Sequence, residues 1–208
     1  MGSCVLITHG IGDCRDMMKV SFPRTWEWCR KHGVGFEGST RREAPHCGIY
    51  WDKVAMIRRI LPKLPLETLV IWMDADCMIC NPDASPIGVL SEPYALGMRK
   101  VLVKATGKLW WNAGVIFIRN TPEAQAFFES AWGMRDDPRF NTTDEIAMNH
   151  LIDMGFPCYE LPKEWNAVKE AENAIIRGFH TWPHERVIEK LVDEQSAQTR
   201  RIKIKREG

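Results

Sequence analysis

The 208-residue chain lacks the short signatures of several large enzyme classes. It has no G-x-x-x-x-G-K-[ST] loop, no G-x-G-x-x-G after a strand and no G-x-S-x-G elbow. These absences argue against a P-loop kinase, a dinucleotide-dependent dehydrogenase and an α/β-hydrolase. No apolar run is long enough to cross a bilayer, and a net charge of +1 suggests neither nucleic acid nor an acidic membrane as partner.

Two further features bound the cellular context. The seven cysteines are scattered, and no second C-x-x-C accompanies Cys77 and Cys80 to complete a zinc site. Buried reduced thiols fit this pattern better, so we expect a cytoplasmic, soluble protein. We expect a single catalytic domain over residues 1–195. The basic tail 196–208 is expected to be flexible and could contact an anionic membrane surface.

Short apolar strands alternate with amphipathic helices along the chain. The clearest strand is Leu69–Met73, which is apolar on both faces and therefore expected to be central and parallel. Other strands are predicted at Val5–Thr8, Val34–Phe36, Tyr94–Met98, Val115–Ile118 and Cys158–Leu161. Helices are predicted at Ser21–His32, at Tyr50–Leu61, from Pro122 behind the cap Thr121, from Thr142 to before Gly155, and at Pro183–Val192. This alternation predicts an α/β three-layer sandwich on a mostly parallel central sheet, with ligands beyond the carboxyl ends of its strands.

Two carboxylates, Asp74 and Asp76, follow the central strand. Because side chains alternate along a strand, residues two apart point to the same side and repel one another unless a cation lies between them. Magnesium and manganese prefer such oxygen ligands and often complete their shell with substrate phosphates. The alternative is a pair of strand-end carboxylates that cap the turn at Asn81-Pro82-Asp83. The sequence pattern alone leaves both interpretations open.

The segment Asn112-Ala113-Gly114 precedes the strand predicted at Val115–Ile118. An asparagine amide can bond sugar hydroxyls as donor and as acceptor, and glycine permits close backbone approach. The alternative is a simple turn beside two core aromatic residues, Trp110 and Trp111.

Asp144 and Glu145 lie at the predicted start of a helix. Thr142 and Glu145 could form a capping box, while Asp144 could point into a pocket and bind a sugar or acceptor hydroxyl. His180 is a candidate manganese ligand because neutral imidazole suits that metal, although a lone histidine is more often a surface or hydrogen-bonded core residue. Weaker candidates for nucleotide or phosphate contact are His9, Lys53 and Arg177.

Taken in order, these segments resemble the metal-dependent GT-A (Rossmann-like) glycosyltransferases, above all the retaining galactosyl/mannosyl/xylosyltransferase family. The resemblance runs from about Trp26 to Leu191. It is carried by Trp51-Asp52-Lys53, by Val70 to Asp76 with Asn81-Pro82, by Trp111 to Asn120, by Asp144-Glu145 and by Phe179-His180.

The resemblance implies a role for each candidate residue. Asp74 and Asp76 would be the Asp-x-Asp ligands of Mn²⁺ (or Mg²⁺), with His180 as the third protein ligand. Asp144-Glu145 matches the family's Asp-Gln near the reacting carbon, with glutamate here in place of glutamine. By the same resemblance Asn112, Ala113 and Gly114 would line the donor-sugar pocket. We expect His9, Lys53, Asp74 and Ala75 to contact the nucleotide-sugar donor as well. The chain departs again where His-Phe-x-Gly becomes His180-Thr181-Trp182-Pro183.

The activity implied is transfer of a sugar, with retention, from a nucleotide-sugar donor to a carbohydrate or glycoconjugate acceptor. A UDP-sugar is favoured over a GDP-sugar, and the chain would be a catalytic domain without the membrane anchor and stem of many relatives. One alternative is a haloacid-dehalogenase-like phosphatase with Asp74 as nucleophile and Asp76 as acid and base, although Met78 stands where that motif usually has Thr or Val. Another is an inactive nucleotide-sugar or carbohydrate-binding module with the same fold.

Overall fold

A six-stranded sheet forms the centre of the molecule. The computed structural model describes residues 3–12, 14–103, 106–168, 173–179, 187–190, 192–193 and 196. The strands are β1 (Cys4–His9), β2 (Gly35–Ser39), β3 (Leu69–Asp74), β5 (Leu96–Val103), β6 (Lys108–Arg119) and β7 (Tyr159–Glu160). Their order is β2-β1-β3-β6-β5-β7, and β6 alone among these six runs antiparallel to the rest. The predicted mostly parallel sheet is confirmed.

Helices cover both faces of this sheet. They are α1 (Cys14–His32), α2 (Trp51–Ile60), α3 (Pro122–Gly133) and α4 (Asp144–Asp153). Alternate residues of β3 enter two separate apolar clusters, because successive side chains of a strand point to opposite faces. Trp72 packs with the α2, α3 and α4 layer, and Ile71 packs with the α1 layer. The predicted three-layer sandwich therefore has its core on both sides of β3.

A small second sheet extends the carboxyl edge of the first. It consists of β4 (Cys77–Ile79), β8 (Ala167–Val168) and β9 (Ile176–Gly178), in the order β4-β9-β8. Strand β9 runs antiparallel to β4, and beyond their pairing the Phe179 amide donates to the Asp76 carbonyl at 3.2 Å. The chain just before His180 is thereby held beside the Asp-x-Asp segment. Within the described residues, none of the helices is both long and apolar enough to span a bilayer.

Three element boundaries differ substantially from the prediction: the starts of α1 and β6, and the end of β5. Helix α1 begins at Cys14 instead of Ser21 and continues through Pro23, where one intrahelical hydrogen bond is lost because proline has no N–H. Strand β6 begins at Lys108 instead of Val115, because β5 continues to Val103 and pairs with it. Asn112, Ala113 and Gly114 consequently lie inside a strand, so the simple-turn alternative is wrong.

The first residues of α3 and α4 show how the two predicted helix caps compare with the structure. Thr121 caps α3 as predicted: its hydroxyl accepts from the Ala124 amide at 3.2 Å, and Pro122 follows at the first helical position. The capping box predicted at Thr142 is wrong. Helix α4 begins at Asp144 with Thr143 as cap residue and no side-chain capping bond, since the Glu145 carboxylate bonds the Ala113 amide instead.

The chain's last segments are described only in part. Of the helix predicted at Pro183–Val192, residues 187–190 are helical, and Val187 is buried against Met17, Met78 and Phe179. The remainder of that prediction and nearly all of the basic tail lie outside the described residues.

Candidate active site

The candidate site lies where three parallel strands end. The register aligns the last residues of β1, β2 and β3, namely His9, Ser39 and Asp74, at one edge of the sheet. A cavity of about 310 Å³ opens there. It is lined by His9, Ile11, Cys14, Ile49, Tyr50, Lys53, Trp72, Asp74, Ala75, Asp76 and Asp144. The fold thus brings together His9, Lys53, Asp74, Ala75, Asp76 and Asp144 of the predicted set. A larger cavity of about 530 Å³ lies at the opposite end of β3, beside Leu69 and Arg119, away from these carboxylates.

Lys53 is the electrostatic centre of the cavity. Its ammonium lies 3.1 Å from Asp74 Oδ1 and 3.6 Å from Asp144 Oδ2, and it donates to the Ala113 carbonyl at 2.9 Å. Burial alone would lower the pKa of Lys53, but the carboxylates of Asp144, Asp74 and Glu145 together raise it above its ordinary value. The ammonium therefore stays charged at the floor of the site.

Asp144 presents an unsatisfied oxygen to the same cavity. Its side chain is only 4% exposed, and no hydrogen-bond donor within the described part of the chain reaches Oδ2. Burial raises the pKa of Asp144 to about 6; Lys53 opposes this rise, and Asp74 adds to it. A buried acceptor without a donor is costly, so a ligand hydroxyl would satisfy a need that the protein leaves open.

Asp74 is held in one orientation by its neighbours. The Trp72 indole donates to Asp74 Oδ1 at 2.6 Å, and Lys53 lies over the Trp72 ring at 5.6 Å from its centre. The turn that follows the strand has its own cap, since Asn81 Oδ1 accepts from the Asp83 amide at 3.0 Å. Asp74 is therefore free of the capping role that the alternative interpretation gave it.

The chemistry of the donor set is compatible with a hard divalent cation. Asp74 and Asp76 both line the cavity and offer carboxylate oxygens, as Mn²⁺ and Mg²⁺ prefer. Cys77 is not among the residues that line the cavity; burial raises the pKa of its thiol well above the ordinary value, and the thiol donates to Asp76 Oδ1 at 3.7 Å. Across the described residues, no cluster of three or more His, Cys, Asp or Glu side chains could hold a metal. His180, the predicted third ligand, lies outside those residues.

Asn112, Ala113 and Gly114 lie behind the cavity floor, and none of the three is among its lining residues. The Ala113 amide donates to Glu145 Oε1 at 2.8 Å, and the Gly114 amide donates to Asn112 Oδ1 at 3.1 Å. A Cβ on Gly114 would meet Asn112 Oδ1 at 3.0 Å and Asp74 Oδ2 at 3.7 Å. The protein's own groups therefore approach Gly114 closely, and the approach of a sugar to Gly114 stays a prediction.

The remaining weaker candidates differ in their placement. The His9 ring lines the cavity and shares a hydrogen bond with the Arg41 carbonyl at 2.7 Å through Nε2. Arg177 lies on β9 opposite Met78 and does not line the cavity.

Sequence reasoning missed several residues that shape the site. Ile11, Ile49 and Tyr50 form an apolar side of the cavity, and Ile49 and Tyr50 are largely exposed at its mouth. The sequence signal for Tyr50 was its spacing: it precedes Lys53 by three residues, so the two side chains lie on the same face at the start of the helix. Two buried asparagines, Asn149 and Asn166, were also missed; each hydrogen-bonds β6 beside the predicted donor segment.

Comparison with known proteins agrees with this picture. The model of the galactosyl transferase GMA12/MNN10 family matches residues 14–95, a stretch that includes Lys53, Asp74 and Asp76. Two rice proteins, from Oryza sativa subsp. indica and japonica and both named probable glycosyltransferase 6, are 28% identical over 107 and 109 residues. These matches cover 50% and 51% of this chain and 22% of each rice protein, so the chain spans about a fifth of the length of these relatives.

Solved structures show the same fold. A glycosyltransferase involved in the glycosylation of the major capsid of PBCV-1 matches with a TM-score of 0.73 at 14% identity, over 91% of this chain and 98% of that one. The galactosyltransferase LgtC, in complex with donor and acceptor sugar analogues, matches with a TM-score of 0.52 at 11% identity, over 91% of this chain and 95% of that one. Mouse xyloside xylosyltransferase 1 matches with a TM-score of 0.51 at 11% identity, over 85% of this chain and 97% of that one. The chain has the GT-A fold, and the family model and the rice relatives that it matches are those of glycosyltransferases.

Proposed function

We propose that this protein transfers a sugar from a nucleotide-sugar donor to a carbohydrate or glycoconjugate acceptor, with retention of configuration, at the cavity around Lys53. The main support is the convergence of one buried ammonium and the carboxylates of Asp74, Asp76 and Asp144 at the carboxyl edge of a GT-A sheet. Ligands of open α/β sheets bind at this edge.

The charges in the cavity suit cleavage of a sugar–diphosphate bond. As that bond breaks, negative charge develops on the departing phosphate, and fixed positive groups nearby stabilise it. Lys53 is such a group, because its neighbours keep it charged. A divalent cation held by Asp74, Asp76 and His180 would supply further Lewis-acid stabilisation of the phosphate.

Asp144 would act on the sugar side of the same bond. Its unsatisfied Oδ2 can accept a sugar hydroxyl, and its negative charge would favour positive charge at the reacting carbon. In the retaining reaction that we propose, the acceptor hydroxyl attacks from the face that the phosphate leaves. Its oxygen then bonds the sugar carbon, and its proton passes to the departing phosphate.

The donor class rests on the family resemblance and the relatives. The matched family and LgtC are named for galactosyl transfer and the mouse enzyme for xylosyl transfer, which supports a hexosyl or pentosyl donor. We propose a UDP-sugar before a GDP-sugar. All seven cysteines are free, which supports the predicted reducing, cytoplasmic setting.

A thermal-shift panel with a turnover assay tests this function. UDP, GDP and their common sugar conjugates would each be added with and without Mn²⁺, and one nucleotide sugar should raise the Tm only with metal. A ligand at a hundred times its Kd adds about 2.7 kcal/mol to the free energy of unfolding. Absence of any shift at saturating metal would contradict the proposal.

The matched variants are Asp76→Ala at the cavity and Asp83→Ala in the turn beyond it. Asp76→Ala should abolish metal-dependent donor turnover and keep the ligand-free Tm, whereas Asp83→Ala should keep both. Full turnover in Asp76→Ala would refute the metal assignment. A metal-dependent shift without transfer to any acceptor would favour the binding-module alternative, and phosphate release with a trapped phosphoryl-Asp74 would favour the phosphatase.

A further inference from the structure

We propose that Asp144 and Glu145 have different roles. Asp144 faces the donor, and Glu145 is a positioning residue that holds strand β6 behind Lys53. This inference rests on the proposed function and assigns Glu145 a role different from the catalytic one that the resemblance implied. The two carboxylates differ in surroundings, since Asp144 lines the cavity and Glu145 does not.

The position of Glu145 follows from where β3 ends. Strand β3 pairs with β6 from Arg119 back to Val115 and then stops at Asp74. Beyond Val115 the register of β6 against β5 shifts, between Phe117 and Asn112, so Ala113 and Trp111 lie past both the last pair with β3 and this irregularity. Backbone N–H groups in a buried strand need a partner, and Ala113 is almost fully buried.

Helix α4 supplies those partners in place of a strand. Glu145 Oε1 accepts from the Ala113 amide at 2.8 Å. Four residues later on the same helical face, Asn149 accepts from the Trp111 amide and donates to the Trp111 carbonyl, both at 2.9 Å. Side chains of α4 thus extend the hydrogen bonding of β6 past the end of β3.

The same strand segment positions the ammonium. The Ala113 carbonyl accepts from Lys53 at 2.9 Å, and Lys53 in turn contacts Asp74 and Asp144. Without the Glu145 bond, the Ala113 amide would be buried and unpaired, and the strand would shift to find a partner or water. The carbonyl that holds Lys53 would move with it. A glutamine could accept the same bond through its side-chain oxygen, since only an acceptor is needed.

The test compares Glu145→Gln with Glu145→Ala, and Asp153→Asn at the exposed end of the same helix is the control. Hydrogen exchange of the Ala113 amide reports the bond directly and needs no activity. Glu145→Gln and Asp153→Asn should keep the wild-type protection of the Ala113 amide. Glu145→Ala should lower that protection at least tenfold. Wild-type protection in Glu145→Ala would overturn the proposal.

Donor kinetics test the functional half. Glu145→Gln should keep kcat/KM within about threefold of wild type, and Glu145→Ala should lose at least tenfold. A Glu145→Gln enzyme that keeps the protection of the Ala113 amide but loses turnover a hundredfold would show that the carboxylate itself reacts. That result would overturn the inference, and it does not depend on whether Glu145→Ala folds. If the wild type transfers no sugar, the proposed function fails, while the exchange experiment still decides whether Glu145 holds Ala113.

Discussion

At the scale of single residues, the site is built on charges that the fold would not tolerate separately. Lys53 is nearly buried and would lose charge by burial alone, and Asp144 is buried more completely still. Each makes the charged form of the other less costly. This buried ion pair is therefore weak evidence for stability. It is well suited to bind a polar ligand, because both charged groups are held in place before the ligand arrives.

The raised pKa of Asp144 predicts a specific pH dependence. The folded pKa is about 6 against 3.8 in a free chain, so the native state holds the proton more tightly than the unfolded state. The contribution of Asp144 to stability is thus greatest below about pH 4 and is lost as the pH rises to about 6. Asp144→Asn removes this titration. The free energy of unfolding of the variant, relative to that of the wild type, should therefore rise by up to about 3 kcal/mol between pH 4 and pH 7. Urea unfolding at both pH values measures it. An unchanged difference between the two proteins would show that the Asp144 pKa is not raised.

At the scale of elements, a clamp joins the loop at residues 40–50 to the start of α2. Asp52 is fully buried and accepts from the Arg42 side chain at 2.5 Å and from the Ala44 amide at 2.6 Å. Arg42 also donates to the carbonyls of Ala44 and Cys47. Ile49 and Tyr50 follow in this loop and form the apolar side of the cavity, so the clamp shapes the ligand site from outside it.

Removing the Asp52 carboxylate should open this loop. Asp52→Ala leaves the Arg42 charge and the Ala44 amide without their partner, and should cost about 2–4 kcal/mol of unfolding free energy. Asp52→Asn keeps an acceptor and should cost less. Urea unfolding measures the loss, and tryptic cleavage after Arg41 and Arg42 should accelerate in Asp52→Ala before global unfolding. Equal cleavage rates in both variants and the wild type would contradict the clamp.

The elements also show what sequence could and could not predict. Strand β3 and helix α3 were found because their signals are local: an apolar run, a capping threonine and a proline at the first helical turn. The start of β6 was missed because it depends on how far β5 continues, more than ten residues from the strand's apolar part. The capping-box alternative for Glu145 failed for the same reason, since the partner of its carboxylate, Ala113, lies 32 positions away. Lys53, Asp74 and Asp144 were brought together by the strand-end rule and the family resemblance.

At the scale of the whole molecule, one sheet serves two apolar layers. Phe128 of α3 is fully buried in the layer that includes α2 and α4, and Trp28 of α1 is fully buried in the layer on the other face. Both layers contain residues of β3 and β6. Neither layer can be lost without exposing one face of these central strands, so the fold should unfold as a unit.

This coupling makes a prediction for variants on opposite faces. Phe128→Ala and Trp28→Ala should each cost about 3–5 kcal/mol, because each removes a fully buried aromatic ring and leaves a cavity. Leu66→Ala, at an exposed position, is the control and should cost under about 1 kcal/mol. In urea, tryptophan fluorescence and far-ultraviolet circular dichroism should give coincident transitions for all four proteins. If Phe128→Ala separated the two signals into an early and a late transition, the two layers would be independent units, and residues 1–195 would not be a single domain.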